Sequence, residues 1–278
     1  MPGSEQALEV AVRAARTGGR ILRGRLGRLQ RSQIRKKGKY DWVTDADHAS
    51  EKAILAVLRR SFPRDSIKAE ESAPSVASES RQWLIDPLDG TVNFLHGFPM
   101  FCVSIGLMER GRLEVGVVYD PTREELFTAR RGHGAFLNGR RIRVTACATF
   151  EESLIATGFP FRARDKMDLY IGSFRKIFLQ TGSIRRAGAA ALDLAYVACG
   201  RMDGFWEMAL APWDMAAGAL LIREAGGTVS DFFGKPGFLE RGHVLAGNPR
   251  IHSLMLRLLA PYFRGKMGLA RTYGANAT

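Results

Sequence analysis

Residues 83–94 read Trp-Leu-Ile-Asp-Pro-Leu-Asp-Gly-Thr-Val-Asn-Phe, and no other stretch restricts the fold as strongly. An apolar run that belongs in a core ends on two carboxylates three positions apart, with a proline between them. The run predicts a short strand over residues 83–86 that stops at Asp86. Pro87 stiffens the exit because its ring locks φ. Asp89-Gly90 predicts a tight turn that aims Asp89 back toward Asp86. Gly90 and Thr91 then offer backbone amides at a helix start, where unpaired donors and the helix dipole favour an anion. One segment thus supplies hard oxygen ligands for a cation beside donors for a phosphate. A plain turn is the alternative for this fragment alone, since Asp, Pro and Gly also make turns without chemistry.

Three further segments shift the balance. Glu70-Glu71 follows a short run ending at Ala69, Trp213-Asp214 precedes the small-residue stretch Met215–Gly218, and residues 41–47 (Asp-Trp-Val-Thr-Asp-Ala-Asp) open a helix. Each puts a carboxylate where an apolar run meets a helix or loop. Oxygen ligands without His or Cys suit Mg²⁺ or Mn²⁺ rather than zinc. Grouped carboxylates repel one another unless a cation lies between them. The five histidines (His48, His96, His133, His243, His252) fall outside these segments and read as structural or surface groups. His96 stands nearest to the carboxylate block.

The chain has 278 residues, 46% hydrophobic and 25% charged, which fits a folded domain and excludes a disordered or collagen-like chain. The reading is a single domain over residues 1–262, with a subdomain boundary near 145–155 as an option, and a poorly ordered tail over 263–278. Helices are expected over 5–29 (broken near Gly18-Gly19), 45–61, 169–180, 189–198, 215–225 and 249–259. Strands are expected over 101–108, 113–119, 126–130, 135–137, 154–157, 203–208 and 228–231, with Asn138-Gly139 as a hairpin turn. Residues 72–80 read as a polar loop. Blocks of antiparallel strands between helices imply a layered α/β or α+β fold.

Charge is uneven. The net charge is +13, and residues 10–40 contain no Asp or Glu but eleven basic residues between Arg13 and Lys39. Arg13, Arg16, Arg20 and Arg23 lie three or four apart and form one stripe on a helix. That stripe is either a surface for phosphate, nucleic acid or anionic lipid, or a solvated helix face. No aromatic residues interleave with it, which weakens a single-strand-binding reading. Three widely spaced cysteines (Cys102, Cys147, Cys199) fit a reducing cytoplasm. No apolar run reaches the ~18–20 residues of a membrane span, and the N-terminus lacks the pattern of a secretory leader.

Taken together, the blocks at 83–94 (WLIDPLDGTVNF) and 212–227 (PWDMAAGALLIREAGG), with Glu70-Glu71-Ser72 and Val43–Asp47 in order before them, resemble the inositol monophosphatase family of Mg²⁺-dependent, lithium-sensitive phosphatases. The resemblance covers about residues 8–259. It implies a layered αβαβα sandwich, a homodimer, and hydrolysis of inositol 1-phosphate or a related polyol or sugar phosphate by a metal-activated water. Fructose 1,6-bisphosphate, a nucleotide 3′-phosphate or histidinol phosphate are the alternative substrates. Carried over by motif, Glu70, Asp86 and the Leu88 carbonyl hold a first Mg²⁺, and Asp86, Asp89 and Asp214 a second. Glu70 also faces a third, weaker ion, and Mn²⁺ is the alternative metal. Gly90 and Thr91 bind the phosphate, while Thr91 and Asp47 orient and deprotonate the water. Gly188, Ala189 and Ala190 line the substrate hydroxyls, Glu207 bonds the ring, and Asp214 borders the substrate. Lys36-Lys37 falls where the family has a lysine-bearing loop. Ala69 departs from the family's usual glycine. Some bacterial relatives resemble regulators of the transcription machinery, so RNA or transcription-complex contact through residues 13–39 is a second expected role.

Overall fold

The computed structural model describes residues 3–75 and 80–267. Part of the expected loop at 72–80 and most of the expected tail, residues 76–79 and 268–278, lie outside the described residues. Five layers alternate. The first holds α1 (Ser4–Arg25) and α2 (Asp45–Ser61). They cover a seven-stranded sheet ordered β3-β4-β5-β6-β7-β8-β9. Its strands are β3 (Ser66–Ala69), β4 (Arg81–Asp89), β5 (Cys102–Glu109), β6 (Arg112–Asp120), β7 (Glu125–Arg130), β8 (Gly134–Leu137) and β9 (Arg140–Ile142). The middle layer holds α5 (Ala190–Ala198) and α6 (Pro212–Glu224). Next comes a five-stranded sheet ordered β11-β10-β12-β14-β13, from Ser183–Arg185, Leu154–Thr157, Gly204–Met208, His243–Gly247 and Thr228–Ser230. The last layer holds α4 (Met167–Phe178) and α8 (Pro249–Phe263). The expected αβαβα order is present. No helix among the described residues is long and apolar enough to cross a membrane.

Position in this stack explains composition. Every residue of α5 is buried, and α6 is buried from Trp213 to Ile222, because both helices lie between two sheets. Small residues bring α6 close to the larger sheet. A Cβ on Gly106 would lie 2.8 Å from the Ala216 Cβ, and one on Gly116 would lie 2.7 Å from the Ala217 carbonyl oxygen. That contact, with Ser104 Oγ donating to the Trp213 carbonyl at 3.0 Å, fixes the first turn of α6 and Asp214 over β4 and β5.

Three expectations are corrected. α1 runs unbroken through Gly18-Gly19. A Cβ on Gly18 would meet Ser50 Oγ at 2.6 Å, and one on Gly19 would meet the Tyr119 ring at 2.5 Å, so these glycines serve close packing on α2 and β6. The strand entered at Trp83 does not end at Asp86 either. β4 continues to Asp89 through a bulge: Asp86 pairs with Ser104 and Asp89 with Cys102, three residues against two. Pro87 falls inside the bulge, where a missing ladder donor is tolerated. The C-terminal helix extends four residues beyond Leu259, to Phe263.

Segment 34–44 forms a hairpin of β1 (Ile34–Gly38) and β2 (Asp41–Thr44) that the charge run concealed. The α3 turn (Thr91–Leu95) follows the bulge directly.

Candidate active site

A cavity of about 350 Å³ opens where the bulge of β4, the start of α6 and the β10–α4 connection meet. Glu70, Asp86, Leu88, Asp89, Gly90, Thr91, Gly188, Glu207 and Asp214 all line it. Residues separated by up to 144 positions are thus brought together (214 − 70 = 144). Asp47 is fully buried behind the wall and reaches the cavity through Thr91, whose Oγ1 donates to Asp47 Oδ1 at 3.2 Å. Of the expected loop, Gly188 and Ala190 line the cavity, while Ala189 is buried beneath the wall. None of the five histidines is a lining residue.

Local structure aims each group. Thr44 caps α2: its Oγ1 accepts from the Ala46 amide at 3.0 Å, and Asp47 Oδ2 accepts from the Thr44 amide at 2.9 Å and hydroxyl at 2.6 Å. One oxygen of Asp47 is therefore committed to the cap, and the other faces Thr91. In the bulge, Asp86 Oδ1 accepts the Leu88 amide at 3.0 Å. Asp89 Oδ2 accepts the Ala191 amide at 2.8 Å, tying the bulge to α5. Ser50 Oγ donates to the Pro87 carbonyl at 2.9 Å and braces the bulge from α2. Gly90 takes φ +90°, and a Cβ there would lie 2.7 Å from the Met100 carbonyl oxygen, so glycine is required for both reasons. Glu70 is held by its amide on the Ile85 carbonyl at 3.1 Å.

The electrostatics are those of gathered, buried acids. Burial, reinforced by Glu70, Asp89 and Asp214, pushes Asp86 well above the usual carboxylate range. Burial and the neighbouring Asp214 push Asp89 up to about 7. Glu70 is raised by burial against the pull of Arg162 and Lys37. Glu207 is raised well above its ordinary value by burial, then by Asp193 and Asp214. Asp47 is raised by burial despite its bonds from Thr44.

This is an all-oxygen donor set short of positive charge, which fits a hard divalent cation. It is not a finished cage. Among the described residues, no group of three or more His, Cys, Asp or Glu side chains is arranged to hold a metal ion as it stands. Arg162 lies between two of the acids instead: Nη1 is 2.8 Å from Asp214 Oδ2 and Nη2 is 3.2 Å from Glu70 Oε1.

Several participants carry no readable signal in the sequence. Arg162, Arg164 and Arg186 line the cavity, as do Tyr40 and Trp42 from the hairpin tip. The Arg164 guanidinium lies 3.5 Å from the centre of the Tyr40 ring. Asn93 Nδ2 lies within hydrogen-bond reach of the Met100, Ala187 and Gly188 carbonyls, at 2.7, 2.9 and 3.3 Å, pinning the Gly188 loop to α3. Its place inside the 83–94 block was the one available clue. The basic stretch divides in two. Lys37 pairs with Glu71 and stands 3.7 Å from Glu70, whereas Lys36 lies over the Trp42 ring. Arg13, Arg16, Arg20 and Arg23 instead line a separate groove of about 820 Å³ between α1 and the β6–β7 edge.

Comparison with known proteins agrees with this architecture. The model of the inositol monophosphatase family matches residues 4–264. The Nus factor SuhB of Pseudomonas aeruginosa is 50% identical over 260 residues, covering 92% of this chain and 96% of that protein. An inositol-1-monophosphatase of Mesorhizobium japonicum is 45% identical over 251 residues, covering 90% of this chain and 94% of that protein. The crystal structure of the extragenic suppressor protein suhB from Bartonella henselae superposes with a TM-score of 0.88 at 44% identity, covering 91% of this chain and 98% of that one.

Proposed function

The chain belongs to the inositol monophosphatase family, and from that premise we propose that it hydrolyses inositol 1-phosphate or a closely related polyol phosphate with Mg²⁺. The observation that carries the reading is the convergence of Glu70, Asp86, Asp89 and Asp214 on one cavity beside the Thr91–Asp47 pair. A phosphate monoester repels nucleophiles with its own negative charge, and its uncatalysed hydrolysis is among the slowest of reactions. Glu70, Asp86, Asp89, Asp214 and the Leu88 carbonyl are the groups that would hold the ions. When bound, such ions supply charge neutralisation and a more acidic water.

The chain's own residues do the rest. The amides of Gly90 and Thr91 receive phosphate oxygens at the end of the bulge. Thr91 Oγ1, already bonded to Asp47 Oδ1, orients the attacking water, and the buried Asp47 takes its proton. Glu207 stands behind Gly158, where a Cβ would come within 2.2 Å of its carboxylate, so this glycine leaves the acid room to meet a ring hydroxyl. The Gly188 loop, pinned by Asn93, forms the adjoining wall. These groups favour a polyol over a nucleotide. Phosphate release from inositol 1-phosphate, fructose 1,6-bisphosphate, a nucleotide 3′-phosphate and histidinol phosphate, compared by kcat/KM with and without Mg²⁺, tests the reading. Metal-independent turnover overturns it.

A homodimer belongs to the same reading, supported by the exposed apolar side chains Ile171, Phe178 and Leu179 on and just after α4. A second role, contact with RNA in a transcription complex, is favoured by the arginine-lined groove on α1 and by the SuhB relatives named as Nus factors. Co-purification of RNA at low and moderate salt, with Asp86→Asn as the catalytically silent control, separates the two roles.

A further inference from the structure

Arg162 stands where its charge matters most to the acids. It projects from the connection between β10 and α4, and its guanidinium spans Asp214 Oδ2 at 2.8 Å and Glu70 Oε1 at 3.2 Å. The two acids come from different layers: Glu70 follows β3 in the larger sheet, and Asp214 lies in the first turn of α6. All three side chains are largely withdrawn from solvent, with 16%, 12% and 4% exposure for Arg162, Glu70 and Asp214. Pairs so placed are screened little by salt. Asp214 Oδ2 also accepts the Ala211 amide at 2.8 Å, which fixes this carboxylate against the start of α6.

We propose that Arg162 is a built-in counter-ion of the acid cluster, one that must leave Glu70 and Asp214 before a divalent cation can enter, and that it thereby sets the affinity of the site for metal. The proposal rests on reading these acids as metal ligands. A guanidinium and a divalent cation cannot share the same carboxylate oxygens at close range, because like charges repel in a water-poor cavity. The loop that carries Arg162 is closed on itself by the Ala163 amide on the Pro160 carbonyl at 2.9 Å. Arg162 also lies 4.5 Å from the Phe161 ring, a contact that does not depend on the acids. Of the other cations nearby, Arg164 lies on Tyr40, and Lys37 pairs with Glu71 while standing 3.7 Å from Glu70.

The test is calorimetric titration of Mg²⁺ into chelator-treated protein without substrate, paired with the melting temperature at each metal concentration. Wild type, Asp86→Asn, Arg162→Gln and Arg162→Lys are compared. Arg162→Gln binds Mg²⁺ about tenfold more tightly, the scale of losing a charge-assisted competitor. It melts lower than wild type without metal and gains more on metal addition. Arg162→Lys falls between, as a point charge without the two-armed fork. It carries the test if the Gln variant does not fold without metal. Affinity unchanged or weakened in the Arg162 variants, while Asp86→Asn abolishes binding, overturns the counter-ion role alone. Equal binding by wild type and Asp86→Asn, or none by wild type, overturns the metal-site reading beneath it as well.

Discussion

The cavity and the groove on α1 both crowd like charges together, yet they handle the repulsion differently. In the cavity, the acids are buried on rigid backbone, and each raised carboxylate owes its shift first to lost hydration. On α1, Arg13, Arg16, Arg20 and Arg23 remain exposed, and water and salt screen them from one another. Among the described residues, only Glu124 answers this stripe with an ion pair, to Arg23, at a site open to solvent on both sides. The difference teaches which charges can do chemistry. A buried cluster stores electrostatic tension that one ion relieves, whereas an exposed stripe stores almost none and is suited to attraction at a distance.

The comparison breaks most readily in catalysis. Asp86→Asn is expected to lower kcat/KM for inositol 1-phosphate by about 10³-fold or more. The double variant Arg13→Gln/Arg16→Gln should stay within about twofold of wild type in the same assay. Comparable losses in the two would erase the distinction. Metal-linked stability comes next. Mg²⁺ at about one hundred times its dissociation constant should add roughly 2.7 kcal/mol and raise the melting temperature by about 5 °C. Scanning fluorimetry should show that gain intact in the arginine variant and absent in Asp86→Asn.

Acidity sharpens the contrast further. Asp89, raised to about 7, holds a proton in the folded chain that the unfolded chain has already released. Its contribution to stability is complete below the unfolded value near 4 and is lost as pH rises through 7. His243 and His252, lowered to about 4 by burial, act with the opposite sign, but only below the unfolded value near 6.5. Between pH 6.5 and 7.5, then, the chelator-treated protein should lose stability on the order of 1 kcal/mol per pH unit, with the slope fading above that range. Excess Mg²⁺ should flatten the slope, as followed by urea denaturation. The smallest effect belongs to the groove. Removing one arginine that contacts a phosphate should reduce the salt slope of RNA binding by about 1, measured by fluorescence anisotropy, with Asp86→Asn unchanged.

Much of this was legible in the amino-acid order, for reasons that can be named. The 45–61 helix is legible in its apolar spacing and in a cap at Asp45 or Thr44, and the structure uses Thr44. The acids were legible because carboxylates rarely end apolar runs without cause, and Glu70, Asp86, Asp89 and Asp214 do share a cavity. Gly18-Gly19 misled, since glycine in a helix signals a break or a close neighbour equally, and only the Tyr119 ring decides between them. The hairpin at 34–44 was hidden by its lysines, which read as a charged surface until Lys37 is seen against Glu71. Arg162 was unreadable because its meaning depends on two acids from distant segments, 92 and 52 positions away.

The single extra residue in β4 has a consequence for how this segment tolerates change. In an even ladder, positions three apart face opposite sides of the sheet; here the bulge restores Asp86 and Asp89 to one side, opposite Ser104 and Cys102. Shortening the strand by one residue at Leu88 would leave the two acids on one side of an even ladder, yet it would remove the amide that holds Asp86 and the carbonyl that accepts the Thr91 hydroxyl. In this segment spacing matters as much as composition, and an in-frame deletion there would be more damaging than many point substitutions.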